Sequence, residues 1–345
     1  MKVSIVGGSG YTGGEALRLL LGHPNISVHQ ITSESHAGEL VHHTHPNLRS
    51  VTKLKYSPLS ELDAVDCIFS CLPHGKIQEK IDYLLEKTAR VVDLAADFRL
   101  HDPLLYQEYY GEAHTRPELL NQFVYGIPEV NREAIRGAAH LAGAGCIATA
   151  SIISLRPLFK AGVVRDNRVF IDGKVGSSAA GASASIATHH PERAGCLRSF
   201  KPTSHRHTAE ILENLSFGNT PEVYLSATST DSVRGILTTA QLFLNAQLSE
   251  LDIRSIYREE YGKEPFVRIV KENRGIFRLP EPKLLAGTNF VDIGFELEEK
   301  TGRLVVLGAI DNLVKGSAGN VIQALNIING WDERSGLEFP GLHPI

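Results

Sequence analysis

Residues 2–21 read KVSIVGGSGYTGGEALRLLL, and their order decides the fold class. Lys2–Val6 is a short β-rich run, residues 7–13 form a glycine turn, and Glu15–Leu21 reads as an amphipathic helix stopped by Gly22 and Pro24. In that context glycines mean dinucleotide binding. The turn lets backbone approach a pyrophosphate, and the helix N-terminus supplies N–H groups with no partner inside the helix. The spacing is G-x-x-G-x-x-G (Gly7, Gly10, Gly13), a variant of the usual fingerprint, with a tight structural turn as the competing reading. A second strand, Ser27–Thr32, ends where an adenosine ribose should lie. Glu34 there favours NAD by binding both ribose hydroxyls, whereas Ser33 and Ser35 suit a 2′-phosphate.

Working outward, Asp66–Leu72 reads as a buried strand followed by Pro73-His-Gly75. Strand ends in such a sheet face the ligand crevice, so Cys71 and Pro73 border the cofactor or simply shape a turn. The run Val91–Arg99 is again strand then loop. It offers the Arg99 guanidinium for two-point contact with a carboxylate or phosphate, or for a surface pair with Asp97 or Asp102. Residues 103–136, with their scattered aromatics and prolines, read as irregular connection.

The stretch Ala142–Ala150, AGAGCIATA, carries the chemistry. Cys146 follows two glycines and opens a helix running to about Ala161, so unpaired N–H groups and the helix dipole should favour its thiolate. The same N–H groups suit a developing oxyanion. A buried structural cysteine is the plainer alternative. Downstream, the small-residue run Gly176–Ser185, including Ser178 and Gly181, is either a flexible linker or an anion-cradling loop. In SHRHTAEI (204–211), an extended approach puts His205 and His207 on one side and Arg206 on the other, ahead of a helix capped by Thr208. Two imidazoles there suit acid–base work near neutral pH. From Val223 onward, alternating runs and a Glu298–Gly302 hairpin turn indicate an α+β domain on a largely antiparallel sheet. His42, His43 and His45 lack the helical H-E-x-x-H pattern of a metal site, so no metal is assigned.

A length of 345 residues suggests two domains. A net charge of −4 argues against nucleic acid or a membrane surface as partner. Four cysteines, Cys67, Cys71, Cys146 and Cys196, form neither a disulfide framework nor a paired zinc pattern and fit a reducing compartment. With no leader-like segment ahead of the first strand and no long apolar run, the expectation is a cytoplasmic protein.

Taken together, GGSGYTGGE (7–15), HPNLR (45–49), LPHG (72–75), DLAADFRL (93–100), AGAGCIATA, SHRHTAEI, RGIL (234–237) and AIDNLVKGSAGN (309–320) resemble the N-acetyl-γ-glutamyl-phosphate reductases of arginine biosynthesis. They also resemble their sibling, the reductase of α-aminoadipyl phosphate bound to an amino-group carrier protein (LysW) in lysine biosynthesis. The resemblance spans the chain. It implies an α/β Rossmann domain over 1–145 and 312–345, and an α+β glyceraldehyde-3-phosphate-dehydrogenase-like catalytic and dimerisation domain over 146–311. It further implies NADPH/NADP+ as cofactor, a homodimer or homotetramer, Cys146 as nucleophile and a catalytic histidine at His205 or His207. Ser9, Gly10, Tyr11, Thr12 and Gly13 would hold the pyrophosphate, and Asn312 and Lys315 would lie near the nicotinamide. The expected substrate is N-acetyl-γ-glutamyl phosphate, with the carrier-bound acyl phosphate as alternative. Ala144, the Ser178–Ala182 loop and HHPERAG (189–195) depart from the arginine type toward the lysine type. Arg193, Arg198 and Lys201 are the cations an acidic carrier would need. A dinucleotide sensor without turnover, or a histidine-rich metal hydrolase, are the readings from other classes.

Overall fold

In the computed structural model, which describes residues 1–270 and 272–345, two seven-stranded sheets divide the chain. The first contains β1 (Lys2–Val6), β2 (Ser27–Thr32), β3 (Tyr56–Ser57), β4 (Cys67–Ser70), β5 (Val91–Asp93), β6 (Phe123–Tyr125) and β7 (His140–Ala142). Its order is β3-β2-β1-β4-β5-β7-β6, and every pair is parallel. Parallel strands need crossovers, and helices supply several of them: α1 (Tyr11–Leu21), α2 (Lys76–Lys87), α3 (Pro103–Tyr110) and α4 (Pro128–Arg136). The two faces of the sheet have separate cores. Leu17 and Leu20 of α1 lie on one, together with Val321 and Leu325 of the late helix Gly319–Ile328; Ile77, Ile81 and Leu84 of α2 lie on the other. This is an α/β Rossmann domain.

Residues 103–136, expected to be irregular, contain α3, β6 and α4. Asp102 caps α3 by accepting from Leu104 N–H at 2.8 Å, Pro103 follows it, and Gly111 ends the helix at φ +82°. Pro128 likewise stands at the first position of α4, although Ile127 ahead of it gives no side-chain cap. The missed signal was this proline-after-cap punctuation, which the aromatic residues obscured.

Helix α5 (Cys146–Lys160) begins the second unit and is buried along most of its length. It packs on a sheet of β8 (Arg168–Val175), β9 (Arg198–Lys201), β10 (Glu222–Ser229), β11 (Ile236–Phe243), β12 (Val267–Ile269), β13 (Val291–Glu298) and β14 (Arg303–Ile310). The order is β12-β13-β14-β11-β8-β10-β9. This sheet is largely antiparallel, as the sequence suggested, with two parallel pairs, β8–β10 and β12–β13. The β8–β10 crossover runs through α6 (His190–Arg193), β9 and α7 (His207–Leu215), and it brings the histidine segment back over Cys146. Helix α8 (Glu250–Tyr261) covers the α5 side, where Tyr257 and Tyr261 donate to the carbonyls of Ser154 and Ile153, each at 2.7 Å. After β14 the chain makes a π-turn, Val314–Ala318, and enters α9 (Gly319–Ile328) on the first sheet. Arg234 ties the units together, bonding Glu15 of α1 at 2.8 Å and Asp311 at 3.0 Å. Among the described residues, no helix is long and apolar enough to cross a membrane.

Candidate functional site

Helix α1 starts at Tyr11, earlier than the sequence pattern suggested, so Gly13 lies inside its first turn. A Cβ on Gly13 would stand 2.6 Å from the Gly8 Cα, and Gly7 has φ +76° against the Cys71 carbonyl. Both positions therefore need glycine. The first helical bond is Gly14 N–H to the Gly10 carbonyl at 2.9 Å, and no side chain caps the N-terminus. The N–H groups of Tyr11, Thr12 and Gly13 thus face outward at the positive end of the dipole, beside an open Gly10. These features fit a dinucleotide pyrophosphate. At the end of β2, Ser33 donates to the Ser9 hydroxyl at 3.0 Å and lies 3.4 Å from that of Ser35. The neighbouring cavity, of about 660 Å³, is lined by Gly7, Ser33, Glu34, Pro73, Lys76 and Lys80. Glu34 is engaged there by the Leu59 N–H at 2.8 Å.

The histidine trio resolves into different roles. His42 and His43 lie edge to face at 4.9 Å, while buried His45 bonds the Gly8 carbonyl at 2.9 Å beneath the glycine turn.

A second cleft, of about 400 Å³, joins the α1 N-terminus to Cys146. Gly10, Tyr11, Thr12, Gly13, Cys71 and Pro73 line its first-domain side; Arg99, Ser178 and Gly181 line it as well. His205, Arg206, His207 and Asn312 complete it. Cys146 is the first residue of α5, behind the Gly145 N-cap, and the first helical bond there is Thr149 N–H to the Gly145 carbonyl at 2.7 Å. Burial pushes the Cys146 thiol up from its usual range. The Arg99 charge, the Ile147 N–H and Arg206 oppose this, and Glu210 adds to it. The sequence argument for a stabilised thiolate counted the helix start and missed the dominant desolvation.

The organiser of this wall is Glu210, fully buried in α7. Its Oε2 accepts from Tyr125 O–H at 2.6 Å and from Gly145 N–H at 2.7 Å, and its Oε1 accepts from Arg99 Nη1 at 3.2 Å. Arg99 is therefore buried, donating also to the Gly143 carbonyl at 2.7 Å, and bonds neither Asp97 nor Asp102. Because the Gly145 N–H is taken, it is not available to an oxyanion. Sequence reading passed over Glu210, although its place three residues after His207 on one helix was the available signal. Tyr125 was hidden in the segment expected to be irregular.

The histidines also differ from expectation. Helix α7 starts at His207 without a Thr208 cap, and Ser204 at φ +55° turns the chain so that Arg206 enters the cleft instead of pointing away. His205 Nδ1 accepts the His207 N–H at 3.1 Å, and the two rings lie edge to face at 4.6 Å. His207 is buried with its Nε2 3.8 Å from Glu210 Oε1, and its Nδ1 has no hydrogen-bond partner among the described residues. A Cβ on Gly145 would meet that Nε2 at 2.5 Å, which places the ring directly beside the residue preceding the cysteine. Burial holds His207 well below the usual histidine range and brings His205 down to about 4, so both are neutral at pH 7. Asn312 joins the Ser178 hydroxyl (2.9 Å) to the Gly235 N–H (2.8 Å). Lys315 lines neither cavity: its ammonium is buried against Glu129 at 2.7 Å.

Family models match two successive stretches of the chain. Residues 2–138 match the semialdehyde dehydrogenase NAD binding domain, and residues 146–312 match the semialdehyde dehydrogenase dimerisation domain. The chain is 55% identical to a putative LysW-L-2-aminoadipate 6-phosphate reductase of Thermomicrobium roseum, covering 100% of this chain and 99% of that one. It is also 55% identical to the LysW-L-2-aminoadipate 6-phosphate reductase of Deinococcus radiodurans, over 99% and 98% of the two chains. A solved aspartate semialdehyde dehydrogenase II from Vibrio cholerae shares the fold at TM-score 0.71 and 15% identity, covering 95% of this chain and 98% of that one. The chain is an oxidoreductase of the semialdehyde dehydrogenase family, with a nicotinamide-dinucleotide-binding Rossmann domain, and belongs with these acyl-phosphate reductases.

Proposed function

We propose that the protein reduces a carrier-bound α-aminoadipyl phosphate to the semialdehyde with NADPH, as a step of lysine biosynthesis. The carrying observation is that Cys146, two arginines and a neutral histidine share one cleft with the open N-terminus of α1. The substrate choice follows the names of relatives at 55% identity, which match the alternative raised from sequence better than a free acetylated substrate.

His207 accepts the Cys146 proton: its imidazole is neutral, lines the same cleft and lies beside Gly145, and burial keeps the thiol protonated until then. The sulfur attacks the acyl carbon; a C–S bond forms, the C–O bond to phosphate breaks, and inorganic phosphate leaves. Arg99 and Arg206 stabilise the phosphate charge. Reduction of the thioester would use a hydride from a nicotinamide held in the cleft. The resulting tetrahedral adduct collapses with cleavage of C–S, His207 returning the proton to sulfur as the aldehyde departs. Tyr11–Gly13 and Ser9 would hold the pyrophosphate, Ser33 and Ser35 the adenosine ribose phosphate, and Cys71, Pro73 and Asn312 would border the nicotinamide. Ser178 and Gly181 close over the substrate, and His205 orients the start of α7.

Residues 1–145 with 312–345 form the cofactor domain in this reading, and 146–311 the catalytic one. A second copy covers the outer face of the second sheet, where Phe170 and Tyr224, each 51% exposed, stack at 4.9 Å. The test is phosphate-dependent reduction of NADP+ with α-aminoadipate semialdehyde, carrier-bound and free, and with N-acetylglutamate semialdehyde. Turnover with the carrier-bound compound well above both others is expected. Equal or better turnover with free N-acetylglutamate semialdehyde would overturn the assignment.

A further inference from the structure

The π-turn between β14 and α9 is defined by Gly316 N–H to the Asp311 carbonyl at 2.9 Å and Ala318 N–H to the Leu313 carbonyl at 3.1 Å. Such turns are rare and occur frequently at functional sites. One flank of this turn touches Cys146: a Cβ on Gly316 would stand 2.8 Å from the Cys146 Cβ. The other flank is Lys315, 0% exposed and directed away from the cleft. Its Nζ donates to Glu129 Oε1 at 2.7 Å and to Gln323 Oε1 at 2.8 Å. Gln323 in α9 returns a bond to Glu129 Oε1 at 3.1 Å, closing a three-membered ring of side chains. Glu129 lies on α4, four residues after Tyr125, whose hydroxyl donates to Glu210, the carboxylate that also holds Gly145. The segment Tyr125–Glu129 is thus anchored at one end to the Glu210 wall and at the other to the π-turn.

We propose that Lys315 is a positioning residue for the reaction: its pairing with Glu129 holds the π-turn so that Gly316 fixes the orientation of Cys146. Stability alone is a poor reason for this pair. Taking both charges out of water is costly, and apolar residues of equal volume commonly fold as well or better. A directional pair differs from an apolar contact in admitting one register of the turn, because the ammonium must meet two acceptors at once. Burial draws the Lys315 ammonium down from its usual range, with Glu129 opposing, so the carboxylate is what keeps the charge in place. This role rests on the reading of Cys146 as nucleophile, and the test separates the two.

The double variant K315M/E129L removes both charges and leaves neither orphaned. Its melting temperature, turnover and rate of Cys146 alkylation by iodoacetamide are compared with the parent, the label being located by peptide mass spectrometry across neutral to alkaline pH. Arg99, Arg206 and Glu210, whose charges act on the thiol, and His205 and His207, which line the same cleft, remain unchanged. Expected is a folded protein whose turnover falls about tenfold or more and whose alkylation profile shifts, while NADPH affinity stays within about threefold, since small misplacements of a reacting group are costly in rate. K315M/E129Q also removes the ion pair but leaves Gln323 an amide partner at position 129; it should show the same pair of changes and decides the question if the first double variant does not fold. A folded variant that alkylates and turns over within about threefold of the parent overturns the proposal. Turnover surviving in C146S would instead remove the nucleophile, while the alkylation comparison would still report on Lys315.

Discussion

The Oε2 of Glu210 accepts the Gly145 N–H at 2.7 Å, so a buried carboxylate from the β8–β10 crossover fixes the residue immediately before the cysteine. The same group neutralises Arg99 and receives the Tyr125 hydroxyl. Replacing it with alanine leaves the Arg99 charge buried with no anionic partner. We expect E210A to lose about 3–5 kcal/mol of stability, measured by denaturant unfolding, together with nearly all turnover. E210Q retains the shape and should recover most of the stability but not the full rate. Parent-like stability in E210A would show that the wall does not depend on this residue.

C146S should bind NADPH with little change and lose turnover by about a thousandfold or more, because a hydroxyl is a far weaker nucleophile at neutral pH. Fluorescence titration with NADPH and steady-state rates check the two halves separately. Turnover within a few-fold of the parent contradicts the covalent route.

The two histidines should separate kinetically. H207N removes the ring beside Gly145 and should lower kcat strongly. H205N removes a partner of the His207 N–H and should have the smaller effect, partly on KM. Equal, mild effects would assign both rings to structure.

Stability should depend on His205 below neutrality. Its pKa is depressed to about 4 in the folded protein and returns to the ordinary histidine range on unfolding. Between those values the unfolded chain binds more protons, so the stability it confers is present above the unfolded value and is lost as pH falls toward 4. Asp93 acts in the opposite direction, because burial raises it to about 8, so the H205N variant must be compared with the parent at each pH. Between pH 7 and pH 5 the variant should gain on the order of 1–2 kcal/mol relative to the parent. A constant difference would place His205 in solvent contact.

Cofactor preference should follow the serines. The Glu34 carboxylate is engaged by the Leu59 N–H, which lessens its competition for a ribose hydroxyl, and Lys76 and Lys80 line the same cavity. NADPH should exceed NADH in kcat/KM by about tenfold or more, and E34A should change that ratio by less than about threefold. A clear preference for NADH would reverse the reading.

Local chemistry alone determined much of this protein. A strand, a glycine turn and a helix are encoded by neighbours, because close approach and an open helix N-terminus leave short-range signatures in glycine spacing and periodicity. The Rossmann unit and the places of Gly10–Gly13, Ser33, Cys71 and Cys146 were therefore legible in order along the chain. What the tertiary structure decided depends on groups far apart in sequence. Glu210 acquires its meaning from Gly145, Arg99 and Tyr125, which lie 65, 111 and 85 residues away. The Cys146 thiol is set by the desolvation of an assembled wall, which no local pattern reports. Lys315 sits in a glycine-flanked motif that reads as cofactor-binding, yet a π-turn directs its side chain to Glu129, 186 residues away. Backbone preference is local and readable; burial and the partner a charge finds within it are properties of the folded whole.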